Sequence, residues 1–133
     1  MHATIHGERV LTELDFSRLT KLFGGQLPPD LTDFLSAVEV VPSRDVAANI
    51  VTMYSQVELL DAHTHRRQTL TICFPNDAEP AAGFVSVLSP VGLSLIGLRE
   101  GEVARWLTPS GEECSDEVAS LLFQPESSGD YTT

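Results

Sequence analysis

Ser86 to Trp106, SVLSPVGLSLIGLREGEVARW, contains a strand end, a helix cap, a short apolar helix, a glycine stop and a second strand. Phe84, Val85, Val87 and Leu88 are strand formers, and the strand predicted there ends at Ser89-Pro90. Serine before proline is a helix start with a mechanism. The hydroxyl accepts from an orphan amide of the first turn, and proline loses nothing at the first helical position because its missing N–H would have had no partner. From Pro90 the apolar residues Val91, Leu93, Leu95, Ile96 and Leu98 cover most of the circumference, so the predicted helix is short and largely buried. Gly97 and Gly101 bracket Leu98-Arg99-Glu100, and Gly101 suits the left-handed residue of a tight turn. Beyond it Val103, Arg105 and Leu107 alternate with Ala104 and Trp106, the period of a strand.

Upstream, the periodicity predicts two short helices. Asp15 is a plausible N-cap for the first, with Phe16, Leu19, Leu22 and Phe23 at helical spacing and Gly24-Gly25 as its stop. Pro29 opens the second, whose Leu31, Phe34, Leu35 and Val38 follow the i, i+3, i+4, i+7 pattern. So short a connection predicts an antiparallel helical hairpin. Val41-Pro42-Ser43-Arg44-Asp45 then reads as a hinge. From Asn49 the composition turns to that of strands: Ile50 to Leu59 and Gln68 to Phe74 are predicted to pair across the polar connection Asp61 to Arg67, DAHTHRR. Pro75 to Gly83 is a loop by composition, a last strand is expected around Val118 to Phe123, and Tyr131 is a candidate to dock back from an irregular tail. Strands on either side of one buried helix, joined by hairpin-length links, indicate an α+β domain in which an antiparallel sheet wraps a short helix.

With 133 residues the chain can bury one core of its own, and none of its apolar runs approaches the roughly 18 residues that span a bilayer. No membrane association is expected, and the cytoplasm is the expected location. Nineteen acids against eight bases give a net charge of −11, which opposes direct nucleic-acid binding. From Asp77 onward only Arg99 and Arg105 stand against ten acids, so a partner recognised by charge would offer a basic surface. Cys73 and Cys114 are too few for a disulfide scaffold and read as structural.

The constellations that could carry chemistry are weak. His63 and His65 lie two apart beside Asp61 with no further ligand pair nearby in sequence, His2 and His6 are near the N-terminus, and no metal is expected. Gly92-Leu93-Ser94-Leu95-Ile96 approximates the nucleophile elbow, but Ile96 replaces its last glycine and Ser94 falls inside a helix. Glycines 92, 97 and 101 match neither the dinucleotide fingerprint nor the phosphate loop, so no cofactor is expected. Asp30 and Asp33, one turn apart in the second helix, are ordinary partners of a helix dipole. These residues suggest a non-enzymatic binding domain.

The segment Ile50-Val51-Thr52-Met53-Tyr54-Ser55, the run Ser86 to Gly92 with Leu95 to Gly101, Trp106, and the tail Gln124-Pro125-Glu126 with Gly129-Asp130-Tyr131 resemble the Gre-like transcription factors of bacteria, including the regulators of nucleoside diphosphate kinase. The resemblance runs in order from about residue 46 to 131. It implies an FKBP-like C-terminal domain over residues 46–133 and, over residues 1–45, an antiparallel coiled coil much shorter than in the cleavage-stimulating Gre factors. It implies RNA polymerase as partner, met at the rim of the secondary channel by the loop and helix start that here are Leu88, Ser89, Pro90 and Val91. Gre proteins usually place an acid before the Ser-Pro, where this chain has Leu88, and Tyr54 stands where the related regulators usually have Asn. Gre factors also carry paired acids at the coiled-coil tip that help hold a catalytic Mg²⁺. Here the tip, Gly24 to Pro29 with Gln26, has no acid, and Asp30 lies just beyond it. The implied function is that of a monomeric, non-catalytic regulator that occupies the channel entrance and excludes related factors. The alternatives are an FKBP-like peptidyl-prolyl isomerase and a general protein-binding adaptor.

Overall fold

The computed structural model describes residues 9–130; His2, His6 and Tyr131 lie outside the described residues. The chain enters through β1 (Val10–Thr12), passes through α1 (Glu13–Thr20) and α2 (Pro29–Ala37), and leaves this unit through β2 (Glu39–Val41). Strands β3 (Gln56–Asp61), β4 (Arg67–Cys73), β5 (Phe84–Ser86), β6 (Val103–Leu107) and β7 (Glu113–Phe123) form one sheet in the order β5-β4-β3-β7-β6, with α3 (Pro90–Leu95) between β5 and β6.

The β3–β4 hairpin follows from alternation. Val57 and Leu59 face the core opposite Leu70 and Gln68, while Glu58 points outward and pairs with Arg67 at 2.8 Å. Register shifts beside Val57 and Leu59 where β3 meets β7 add local twist and curl the sheet over its contents. Val51, Met53, Ile72, Val87, Leu95, Ile96 and Val118 fill the space beneath it, and Leu11, Leu19, Leu31 and Leu35 of the N-terminal unit belong to the same buried cluster.

Several expectations need correction. The sheet is mixed: β5 runs parallel to β4, with Thr71 opposite Phe84, because residues 75–83 carry the chain back across through two short 3₁₀ turns. The strand expected over Ile50 to Leu59 begins only at Gln56. Residues 50–55 are irregular and, Tyr54 apart, buried, tied to the Gly97-Leu98 turn through Val51 N–H to the Leu98 carbonyl and Gly97 N–H to the Val51 carbonyl, both 2.8 Å. Their β-branched composition reflects burial rather than strand. Val41, placed in a hinge, ends β2, which pairs parallel with β1 over Val10↔Glu39 to Thr12↔Val41. Asp15 is not an N-cap; Thr12 caps α1, accepting from the Asp15 N–H at 3.0 Å, and Asp15 is buried. α1 ends at Thr20, before Gly24-Gly25. The β5 strand stops at Ser86 rather than Leu88, and β7 begins at Glu113, five residues ahead of Val118.

Candidate functional site

The turn from Ser86 to Gly92 is held by its own hydroxyls. Val87 N–H donates to the Cys73 carbonyl at 2.9 Å, anchoring the turn to β4, and Ser86 Oγ accepts from Leu88 N–H at 3.0 Å. The Ser86 carbonyl then receives both the Ser89 N–H at 3.0 Å and the Ser89 hydroxyl at 2.7 Å. Ser89 Oγ in turn accepts from Gly92 N–H at 3.1 Å, which makes Ser89 the N-cap of α3 with Pro90 at the first helical position. Every polar atom of Ser89 is therefore used inside the fold, its carbonyl by Leu93 N–H at 2.9 Å. Pro90 is exposed, and Leu88 and Val91 are half-buried.

Gly92 permits this compactness. A Cβ there would lie 2.0 Å from the Ser86 carbonyl oxygen. The other end of α3 is closed from a distance in sequence: Arg9 Nη1 donates to the Leu93 carbonyl at 2.7 Å and to the Ile96 carbonyl at 3.1 Å, with the guanidinium 5.7 Å from the centre of the Phe34 ring. Burial lowers the Arg9 pKa, partly offset by Glu102.

Leu88 and Pro90 line a cleft of about 570 Å³ together with Leu31 and Phe34 of α2 and with Leu93 and Trp106. Arg9, Arg105 and Asp30 border it. The structure thus brings together Leu88, Pro90 and Asp30 of the residues singled out in the sequence. Ser89 and Val91 are adjacent but do not line the cleft, and Gln26 is exposed away from it. Phe34 and Arg105 carry only the signal of their own helix and strand, and Arg9, just ahead of β1, carries none; the fold brings the three together. Trp106 is legible as part of the strand alternation and of the family-like motif set.

At the helical turn, Leu22–Gly25 form a 3₁₀ segment in which Phe23 adopts φ 52 and is 58% exposed. An aromatic ring, not a carboxylate, is the prominent side chain of that end. Asp61 organises the β3–β4 connection, its Oδ1 accepting from His63 N–H at 2.7 Å and Thr64 N–H at 2.9 Å, which holds its pKa below the usual range. Among the described residues no three His, Cys, Asp or Glu side chains are grouped to hold a metal ion. Ser94 is buried and donates to the Val91 carbonyl at 2.7 Å, as a helical serine does. Cys73 is buried with its thiol pushed up chiefly by that burial.

Comparison with known proteins accounts for this architecture. The chain is 28% identical over 128 residues to the regulator of nucleoside diphosphate kinase of Escherichia coli, covering 92% of this chain and 94% of that protein. It is 37% identical over 82 residues to the transcription elongation factor GreA of Desulfotalea psychrophila, where the match spans about half of the longer protein, 51%. Among solved structures, a prokaryotic transcription elongation factor GreA/GreB from Nitrosomonas europaea superposes with a TM-score of 0.72 at 27% identity, over 87% of this chain and 98% of that one. Residues 46–121 match the family described as transcription elongation factor, GreA/GreB, C-term. The turn, the buried helix and the sheet around them are therefore those of the GreA/GreB C-terminal family, to which this chain belongs.

Proposed function

We propose that the chain is a non-catalytic transcription regulator that binds RNA polymerase near its secondary channel, through the Leu88–Val91 turn and the cleft it borders, and competes there with Gre-type elongation factors. The observation that carries this reading is the cleft itself. In a chain of net charge −11, Leu88, Pro90, Phe34 and Trp106 offer apolar and aromatic surface beside two guanidinium groups, the composition of an interface centre rather than of a solvated face. Ser89 serves the turn, so partner contact falls to Leu88 and Pro90. The relatives are named as transcription factors and as a kinase regulator, which favours this reading over a peptidyl-prolyl isomerase or a general adaptor.

On this reading residues 1–45 act as a short helical hairpin of coiled-coil type and residues 46–133 as an FKBP-like docking domain. Helices of eight and nine residues reach only about 12 to 14 Å at 1.5 Å per residue. That is too short to carry groups deep into a channel, and the 3₁₀ turn between them offers Phe23 where a metal-holding acid would be needed. The place of action is the cytoplasm, with the protein acting as a monomer. No helix among the described residues is long and apolar enough to cross a membrane.

The experiment is equilibrium binding to purified bacterial core RNA polymerase, with Pro90→Ala beside the parent. Pro90 is exposed and donates no hydrogen bond, so its loss leaves the folded turn but removes a rigid ring from the cleft wall. Affinity should fall about tenfold or more, equivalent to about 1.4 kcal/mol of lost contact. Equal affinity of the two proteins refutes the site, and an absence of binding by the parent refutes the partner.

A further inference from the structure

Asp15 is the only charged residue among the described residues with 0% exposure. It occupies the third position of α1, three residues after the cap Thr12, where an acid ordinarily turns back to the cap amide and faces water. Here it reaches instead into the sheet unit. Oδ2 accepts the Met53 N–H at 3.1 Å, and Oδ1 is buried without a partner. Beside Met53, Thr52 Oγ1 donates to Glu126 Oε1 at 2.7 Å and lies 2.9 Å from Ser55 Oγ. Glu126 is buried as well. Two carboxyl groups far apart in sequence thus close on adjacent residues, Asp15 on Met53 and Glu126 on Thr52.

The charged groups acting on Asp15 are Glu126 from the C-terminal turn and Arg18 from its own helix; Asp130 acts on Glu126. Burial is the largest reason that the Asp15 pKa is pushed up to about 7. Glu126 adds to the rise, while the Met53 N–H, the Thr12 hydroxyl and Arg18 oppose it. Glu126 is also raised, first by burial.

We propose that Asp15 is a proton-operated latch: protonated, it lets α1 seat on residues 51–55 beside Glu126, and ionised, it drives α1 from that seat and loosens the N-terminal helical unit from the sheet. The seated state holds the proton more tightly than the released state, in which an aspartate titrates near its ordinary value of about 3.9. Seating is therefore strongest below that value, and its advantage is lost as pH rises through about 7. α2 follows α1 and supplies Leu31 and Phe34 to the cleft, so the latch sets the geometry of the cleft wall. This inference does not depend on the identity of the partner.

The test is amide hydrogen exchange on the full chain at pH 5.5 and 8, corrected for intrinsic rates. Amides of α1 should lose about thirtyfold in protection relative to those of β4, the factor by which two such protonation equilibria diverge over that interval. Asp15→Asn keeps an acceptor for the Met53 N–H and has no proton to lose, so its ratio should stay constant. In the parent the Asp15 carboxyl carbon, followed by NMR, should titrate with a midpoint near 7. Parallel changes in α1 and β4, a midpoint below about 5, or an unaltered pH response in Asp15→Asn overturns the latch. Should that variant fail to fold, the two measurements on the parent decide alone.

Discussion

Replacing Gly92 by alanine sets two effects of opposite sign against each other. Alanine is the better helix former, by about 1 kcal/mol at an interior position. Against this, the new Cβ would stand 2.0 Å from the Ser86 carbonyl oxygen, 2.9 Å from its carbon and 3.0 Å from Val87 Cα, all backbone atoms that cannot swing aside. Relief to an ordinary carbon–oxygen contact requires α3 and the end of β5 to separate by about 1.3 Å. The same carbonyl receives both Ser89 donors, at 3.0 and 2.7 Å, so a shift of that size stretches the bonds that cap the helix. Two weakened hydrogen bonds cost about 1 kcal/mol each, and overpacking adds about 1 to 3 kcal/mol. The clash wins: Gly92→Ala should be destabilised by roughly 2 to 4 kcal/mol net, a fall in Tm of roughly 8 to 16 °C for a chain of this length. Thermal unfolding followed by circular dichroism, paired with urea unfolding to confirm an unchanged m-value, measures it. A variant that melts at or above the parent would show that the turn can open at no cost and that Gly92 sits there for no packing reason.

Ser89→Ala removes the cap of α3 and one of the two donors to the Ser86 carbonyl and should cost about 0.5 to 2 kcal/mol in urea unfolding; Ser89→Asp keeps a capping oxygen but sets a carboxylate, which cannot donate, beside that carbonyl, so it should not regain the stability of the parent. If Ser89→Ala is as stable as the parent, the hydroxyl does not cap α3. The Tyr54 hydroxyl donates to Asp77 and its ring packs on Phe74 with centroids 5.8 Å apart, and burial, with that hydrogen bond, pushes its pKa up to about 12. Because the phenol is neutral in the fold, this group favours folding below about 10 and loses that contribution as pH rises through about 12; absorbance titration should show a phenol at that midpoint which is absent in Tyr54→Phe. Added to backtracked elongation complexes with Mg²⁺, the protein should leave transcript cleavage at its basal rate, since Phe23 and two glycines occupy the helical turn; stimulation abolished by Asp30→Ala would refute that geometry.

What could be read from the sequence was what neighbouring residues decide among themselves. Ser89-Pro90 announced the start of α3, because a cap and a proline act within three residues of each other. Pro29 announced α2 in the same way, strand-forming composition on either side of a polar connection placed the β3–β4 hairpin, and alternation placed β6. The family could also be recognised, because its motifs are runs of identity that need no coordinates. Where the sequence misled, composition had more than one cause. Ile50 to Ser55 carries strand-forming residues because it is buried, and Tyr54, at φ 65, breaks the extended path that a strand would need.

Only the tertiary structure decided the rest. The parallel pairings β1–β2 and β4–β5 join segments whose own patterns do not specify a neighbour. Arg9 meets the Leu93 carbonyl across 84 residues, and Asp15 meets Met53 across 38. The cleft is likewise made by Phe34, Pro90 and Trp106, which share no element. Asp15 reads as a surface cap until the fold lays the sheet unit over it, and Gly92 reads as a weak point in a helix until the Ser86 carbonyl is seen to occupy the space of its missing side chain. Caps, turns and alternation are set by interactions within a few residues, so residue identity and spacing encode them directly. Burial, charge environment and close backbone approach depend on which distant surfaces meet, and that is settled by the packing of the whole chain.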